Sequence, residues 1–126
     1  RKGTAIVFDS NDYTLLDFGE ERRLERFGPW ILDRPCPAAK GLRKAAPRMW
    51  DEAHAFFSRD ESDPTWHVRA EMPKYWTIPH ASWVLELKLS SFGHVGLFAE
   101  QAENWDWIAR RVRAAGRPRR FLNLFA

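Results

Sequence analysis

Cysteine is almost absent from this sequence. Cys36 is the single cysteine in 126 residues, so no disulfide can form within the chain and a disulfide-stabilised secreted domain is excluded. A chain built without disulfides fits a reducing compartment, and we expect a cytoplasmic protein. Cys36 lies between two prolines with no neighbouring base to activate it, so a small packed side chain is favoured over a nucleophile.

Long apolar runs and grouped metal ligands are missing as well. No apolar run approaches the roughly 20 residues that a membrane-spanning helix needs, so we expect no membrane partner. The four histidines are scattered along the chain, and no further ligands stand at suitable spacing from them. We therefore expect no metal site.

Tryptophan and phenylalanine, in contrast, are abundant, with seven and nine residues. Aromatic side chains bury large areas, and they can also stack on nucleic-acid bases. Trp50, Trp83 and Trp105 fall on apolar faces of predicted elements, which favours the core. Trp66 and Trp76 lie near predicted loops and are the better candidates for an exposed stacking platform.

The first ninety residues predict a mainly antiparallel β region. Residues 5–8 form a possible strand, and segments 13–18, 22–27 and 30–32 are separated by turn residues in the pattern of a three-stranded meander with one face wet. Pro47 and the apolar residues up to Phe57 predict a helix. Strands are predicted at 65–70 and 83–89, with an irregular proline-containing segment between them.

The last third predicts one helix and one buried strand. Residues 100–115 place an apolar stripe at helical spacing, and Gly116 is a suitable residue to follow the helix end. The closing residues, "RFLNLFA", are apolar on both faces apart from Asn123, as in a strand of a parallel sheet covered by helices. A helix leading into such a strand is typical of the start of a doubly wound α/β domain.

Two motifs in this last third match a known pattern. Residues 96–101, "GLFAEQ", fit Gly-x-Phe-x-(Asp/Glu)-Gln before a helix, and residues 122–125, "LNLF", follow that helix. With the upstream segment "LLDFGEERRLERFGPWILDRPCPAA", they closely resemble class I S-adenosylmethionine-dependent methyltransferases. The subgroup is the one related to bacterial large-subunit ribosomal RNA methyltransferases. The resemblance extends from about Tyr13 to the end.

The resemblance implies a fold and a function. The fold is α+β: an N-terminal antiparallel β region with one helix on the substrate side (1–90), then the truncated start of a Rossmann-like domain that binds S-adenosylmethionine (91–126). The implied activity is methyl transfer, with an RNA resembling ribosomal RNA as the expected partner. The family's glycine loop, acidic ribose ligand and catalytic loop would follow residue 126. We therefore expect no catalytic residue in this chain and no activity from it alone. The alternative is a non-catalytic β-module that binds nucleic acid.

Five residues are candidates for cofactor contacts. Phe98, Glu100 and Gln101 would lie at the mouth of the sheet, where an amide can hold the methionine part of the cofactor and an aromatic ring can pack on an apolar part. The alternative is an ordinary helix start, with Glu100 at the positive end of the dipole and Gln101 solvated. Asn123 would shape the pocket or bond a neighbouring strand. Phe125 belongs to the same motif.

Two groups of charged residues have open interpretations. The first consists of six arginines near the end of the chain, at positions 110, 111, 113, 117, 119 and 120. They could bind RNA phosphates, but a solvated helix end that complements the dipole is favoured. The second is the alternation of arginine and glutamate over residues 20–26, which predicts a solvated face of the meander.

Overall fold

The computed structural model describes residues 7–60, 62–69 and 71–124. They form two compact units, which we call the β unit (residues 8–97) and the helical unit (Val7 with residues 98–124). The strands of the β unit are β1 (Tyr13–Gly19), β2 (Arg22–Phe27), β3 (Trp30–Pro35), β4 (Ala55–Ser58), β5 (Thr65–Val68), β6 (Trp76–His80) and β7 (Trp83–Leu87). The helical unit contains α1 (Ala102–Ala115). The fold is therefore mixed α+β; a functional domain boundary after residue 90 stays a prediction.

The β unit contains two sheets. The larger has the order β1-β2-β3-β4-β5, with β3 and β4 parallel and the other pairs antiparallel. The smaller is the antiparallel hairpin β6–β7. Of the possible strand at 5–8, Val7 and Phe8 lie outside any strand, and residues 5 and 6 lie outside the described residues.

The predicted meander is confirmed, and its turns have a local cause. Glu20 and Glu21 join β1 to β2, and both have positive φ, 53° and 62°, as a two-residue hairpin loop requires. Gly28, with φ 63°, opens the next turn. The loop after β3 then covers the first turn, where the Glu20 amide donates to the Leu42 carbonyl at 2.8 Å.

This close approach makes Gly19 sensitive to substitution. A Cβ at Gly19 would lie 2.5 Å from the backbone nitrogen of Lys44, so the covering loop would have to move. We expect Gly19→Ala to lower the free energy of unfolding by about 2 kcal/mol in urea titrations. Gly41→Ala is the control, because φ is 77° there but no atom lies within 4 Å of the added Cβ. It should cost only about 1 kcal/mol. Equal costs would contradict the steric argument.

The predicted helix over residues 47–57 is wrong in its second half. A 3₁₀ helix spans Pro47–Glu52, and the chain then enters β4. Two long-range contacts account for this change. The first is a hydrogen bond from the Trp50 indole to the Asp17 carboxylate. The second joins His54 to Ile31 by two hydrogen bonds: Nδ1 of His54 accepts from the Ile31 amide at 3.0 Å, and the His54 amide donates to the Ile31 carbonyl at 2.8 Å. Since β3 supplies backbone partners at this point, the chain continues as a strand.

The segment between β5 and β7 also differs from the prediction. Trp76–His80 form β6 and pair with β7, although the sequence predicts irregular structure there. Pro79 is tolerated because both strands of a two-stranded sheet are edges. Trp76 is buried, and its indole donates to the Phe27 carbonyl at 3.2 Å. Trp66 is half-buried and donates to the Ser90 carbonyl at 2.7 Å. The expectation that these two tryptophans form an exposed platform is therefore wrong.

The charged face predicted for the meander is in part a buried network. Glu25 is 1% exposed and Arg34 is 4% exposed. The Arg34 guanidinium donates to both carboxylate oxygens of Glu25, at 2.8 and 3.0 Å. Arg23 lies 3.1 Å from the same carboxylate, and the Tyr13 hydroxyl donates to it at 2.8 Å. Burial and this carboxylate raise the pKa of Tyr13, which keeps the phenol protonated as a donor.

Candidate functional site

The candidate cofactor residues open the helical unit. Phe98 precedes a 3₁₀ turn over Ala99–Gln101, and α1 follows directly. The Gln101 amide donates to the Phe98 carbonyl at 3.0 Å, which closes this turn. The side chains of Phe98, Glu100 and Gln101 are all exposed, whereas the next residue, Ala102, is buried. The sequence motif thus places three different chemical groups on the surface within four residues.

These groups are chemically complementary to an amino acid with an attached apolar part. The Gln101 carboxamide oxygen accepts from the Asn104 side chain at 2.8 Å, which orients the amide so that its N–H groups are donors for a carboxylate. Glu100 offers a carboxylate for an ammonium group, and the Phe98 ring, 55% exposed, offers an apolar surface. The methionine part of S-adenosylmethionine carries these features. The residues present therefore fit that cofactor.

The other two candidate residues are not in the predicted setting. Residues 121–124 lie outside any helix or strand, so the strand prediction is wrong over these residues. Leu122 and Leu124 are 84% and 77% exposed, and Asn123 is exposed too. Phe125 lies outside the described residues. A doubly apolar strand needs a neighbouring strand for its backbone hydrogen bonds, and the described part of the helical unit contains no strand.

Helix α1 forms as its local signals predict. Gly116 follows it with φ 59° and donates to the Arg113 carbonyl at 3.3 Å, so the predicted C-terminal glycine is confirmed. The apolar stripe is less buried than expected. Ile108 and Val112 remain 40% and 37% exposed. The glycine at the end of the helix and the placement of its charges follow the local signals, whereas its apolar stripe stays partly exposed.

A concave surface that sequence analysis missed lies beside α1 and the segment after it. It has a volume of about 680 Å³. We call it the arginine groove; its lining includes Trp107, Arg111, Arg119, Arg120 and Phe121. Trp107 is 53% exposed, and the Arg111 guanidinium lies 5.2 Å from its ring centroid. The available signal was the spacing of Trp107 and Arg111, four residues apart and off the apolar stripe.

No group of three or more side chains that could together hold a metal ion is found among the described residues. None of their helices combines the length and the apolar character required to cross a bilayer.

Comparison with known proteins is informative at the level of structure. No protein-family model matches the chain, and no curated protein sequence matches it significantly. The structure is similar to the crystal structure of the SAM-dependent methyltransferase from Agrobacterium tumefaciens, with a TM-score of 0.78 and 26% sequence identity. The match covers 94% of this chain and 38% of that one. The chain thus spans just over a third of the methyltransferase that it matches.

The match supports the resemblance at its coarser level. The α+β fold of this chain is that of part of a SAM-dependent methyltransferase. The ribosomal RNA subgroup, the Rossmann-like details and the status of the chain as a fragment stay predictions, as do the cofactor contacts of the five candidate residues.

Proposed function

We propose that this chain is the N-terminal part of an S-adenosylmethionine-dependent methyltransferase that acts on RNA. The observation that carries the proposal is the structural likeness over 94% of the chain to a SAM-dependent methyltransferase. The sequence motifs at residues 96–101 and 122–125 support it independently, because they resemble the same class of enzyme. The RNA substrate rests on the resemblance to ribosomal RNA methyltransferases.

The cofactor supplies an activated methyl group on a sulfonium, and the protein's usual part in such a transfer is to position donor and acceptor. In this proposal, Gln101 donates hydrogen bonds to the cofactor's carboxylate and Glu100 pairs with its ammonium group. Phe98 packs on an apolar part. These residues bind and orient the cofactor. Because the glycine loop, the acidic ribose ligand and the catalytic loop of the family that the chain resembles would follow residue 126, we propose that the 126 residues alone are inactive.

Calorimetric titration with S-adenosylmethionine tests the proposal. Two proteins are compared: the 126-residue chain and the product of the complete reading frame that contains it. We expect heat of binding from the complete product and transfer of labelled methyl groups from it to bacterial ribosomal RNA, with neither from the 126-residue chain. Absence of binding by the complete product, or methyl transfer by the 126 residues alone, would overturn the proposal.

A paired substitution tests the assigned contacts. Glu100→Gln with Gln101→Ala in the complete product should weaken cofactor binding by about tenfold to a hundredfold, since each removes a charge-assisted hydrogen bond. Glu103→Gln is the matched control, because it removes the same charge about one turn further along the helix, where we assign no contact. If the protein with both substitutions binds the cofactor as tightly as the Glu103→Gln control and the unaltered protein do, the assignment of Glu100 and Gln101 is wrong.

A further inference from the structure

The positive charge of this chain is confined to one end. Residues 1–97 contain fourteen basic and fourteen acidic residues, whereas residues 98–126 contain six arginines and three acidic residues. The whole formal charge of +3 therefore resides in the last 29 residues. No acidic residue follows Asp106. Such segregation is typical of a surface that meets a polyanion.

Helix stabilisation explains only half of these arginines. Arg110, Arg111 and Arg113 lie in the last turns of α1, where cations complement the dipole. Arg110 is also paired with Asp106, at 3.0 Å. The remaining three arginines follow Gly116 and lie beyond the helix, so the dipole gives no reason for them.

The arginine groove brings members of both sets together around aromatic rings. Arg111, Arg119 and Arg120 line it, and none of the three is ion-paired within residues 7–60, 62–69 and 71–124. Trp107 and Phe121 line it too, and their side chains are 53% and 66% exposed. Guanidinium groups offer forked donors for phosphate oxygens, and exposed aromatic faces stack on bases.

We propose that the arginine groove binds single-stranded RNA, with a base stacked on Trp107 and phosphates held by Arg111, Arg119 and Arg120. A single strand is favoured over a duplex because stacking on a side chain requires an unpaired base. The arrangement also differs from that of a helix lying on a membrane, where basic and apolar residues occupy opposite faces. Here Trp107 and Arg111 share one face.

This inference rests on the proposed action on RNA and specifies where the RNA is held. Fluorescence anisotropy with a labelled twelve-nucleotide single-stranded RNA tests it on the 126-residue chain. Replacing Arg111, Arg119 and Arg120 by Gln should weaken binding on the order of 100-fold at 50 mM salt. It should also reduce the slope of log K against log salt by about 2, since three phosphate contacts are lost. Trp107→Ala should weaken binding about tenfold and leave that slope unchanged.

The control removes three exposed arginines from the β unit, as R43Q/R48Q/R59Q. We expect it to retain most of the affinity and the salt slope. Equal losses in both triple variants would overturn the proposal, because binding would then follow net charge. So would preference for duplex RNA, or tighter association with phosphatidylserine vesicles than with RNA. Circular dichroism at 222 nm verifies that each variant keeps its helix. Cofactor titration of the complete product does not involve RNA, so failure of the groove and failure of the methyltransferase assignment remain distinguishable.

Discussion

Replacing Arg34 by Met is expected to lower the free energy of unfolding by about 4 kcal/mol. The guanidinium is buried and donates to both carboxylate oxygens of Glu25, which is itself 1% exposed. Removing one partner of a buried pair leaves a charge with too little compensation, and this typically costs 3–5 kcal/mol. Tyr13 and Arg23 still contact the carboxylate, so the loss should not exceed that range. Urea unfolding followed by tryptophan fluorescence measures it.

The double variant E25M/R34M separates two quantities: the contribution of the ion pair to the free energy of unfolding, and the cost of leaving one buried charge without its partner. Because an apolar pair of similar volume removes the buried charge, we expect it to be more stable than R34M alone. Arg43→Met, at an exposed position, is the control and should change stability by less than about 0.5 kcal/mol. A double variant as unstable as the sum of the two single variants would show no energetic coupling between Glu25 and Arg34 and would contradict this expectation.

Replacing Asp17 by Asn is expected to destabilise the protein by about 3 kcal/mol at pH 7. The carboxylate is 6% exposed and accepts four hydrogen bonds, from the amides of Phe18, Ala45 and Ala46 and from the Trp50 indole. An asparagine cannot accept all four, because its NH₂ group would face donors. A buried donor without a partner costs about 1–3 kcal/mol, and hydrogen bonds to charged groups are stronger than neutral ones.

The same contacts predict how the effect depends on pH. Burial by itself would raise the pKa of Asp17, but the Trp50 indole and the three amides outweigh it and hold the pKa below its usual value of 3.8. A carboxyl whose pKa is lowered on folding stabilises the protein above the unfolded pKa, and this contribution is lost as the pH falls through the folded pKa. The difference between the unaltered protein and D17N should therefore be largest at pH 7 and shrink below about pH 4.

Urea unfolding at pH 7 and pH 3 measures this dependence. Asp51→Asn is the matched control, because Asp51 is exposed and lies next to Trp50 in the chain. It should change stability by less than about 0.5 kcal/mol at both pH values. A difference for D17N that is as large at pH 3 as at pH 7 would contradict the role assigned to the charged carboxylate.

The sequence predicted some parts of the candidate site and not others. The position of Phe98 to Gln101 at the start of a helix could be predicted from a continuous motif and local helix signals, whereas the cofactor contacts of these residues stay a prediction. The arginine groove could not, because its lining joins residues of α1 to residues after Gly116, and a pattern does not report how a chain turns back. At Asn123 the sequence predicted a structure that does not form. Its apolar neighbours indicated a buried strand, but the described residues of its unit contain no strand with which it could pair.

What the sequence determined by itself was local. The meander β1–β3, strand β7 and the end of α1 at Gly116 follow from turn residues, alternation and capping, which act over a few positions. Only the tertiary structure decided that the residues after His54 join β3 as strand β4, that Trp76 starts β6, and that Glu25 and Asp17 are buried with their partners. Each of these outcomes depends on a hydrogen-bond or packing partner distant in the chain. The free energy of such a contact depends on both partners, so the residue pattern of one segment alone cannot predict it.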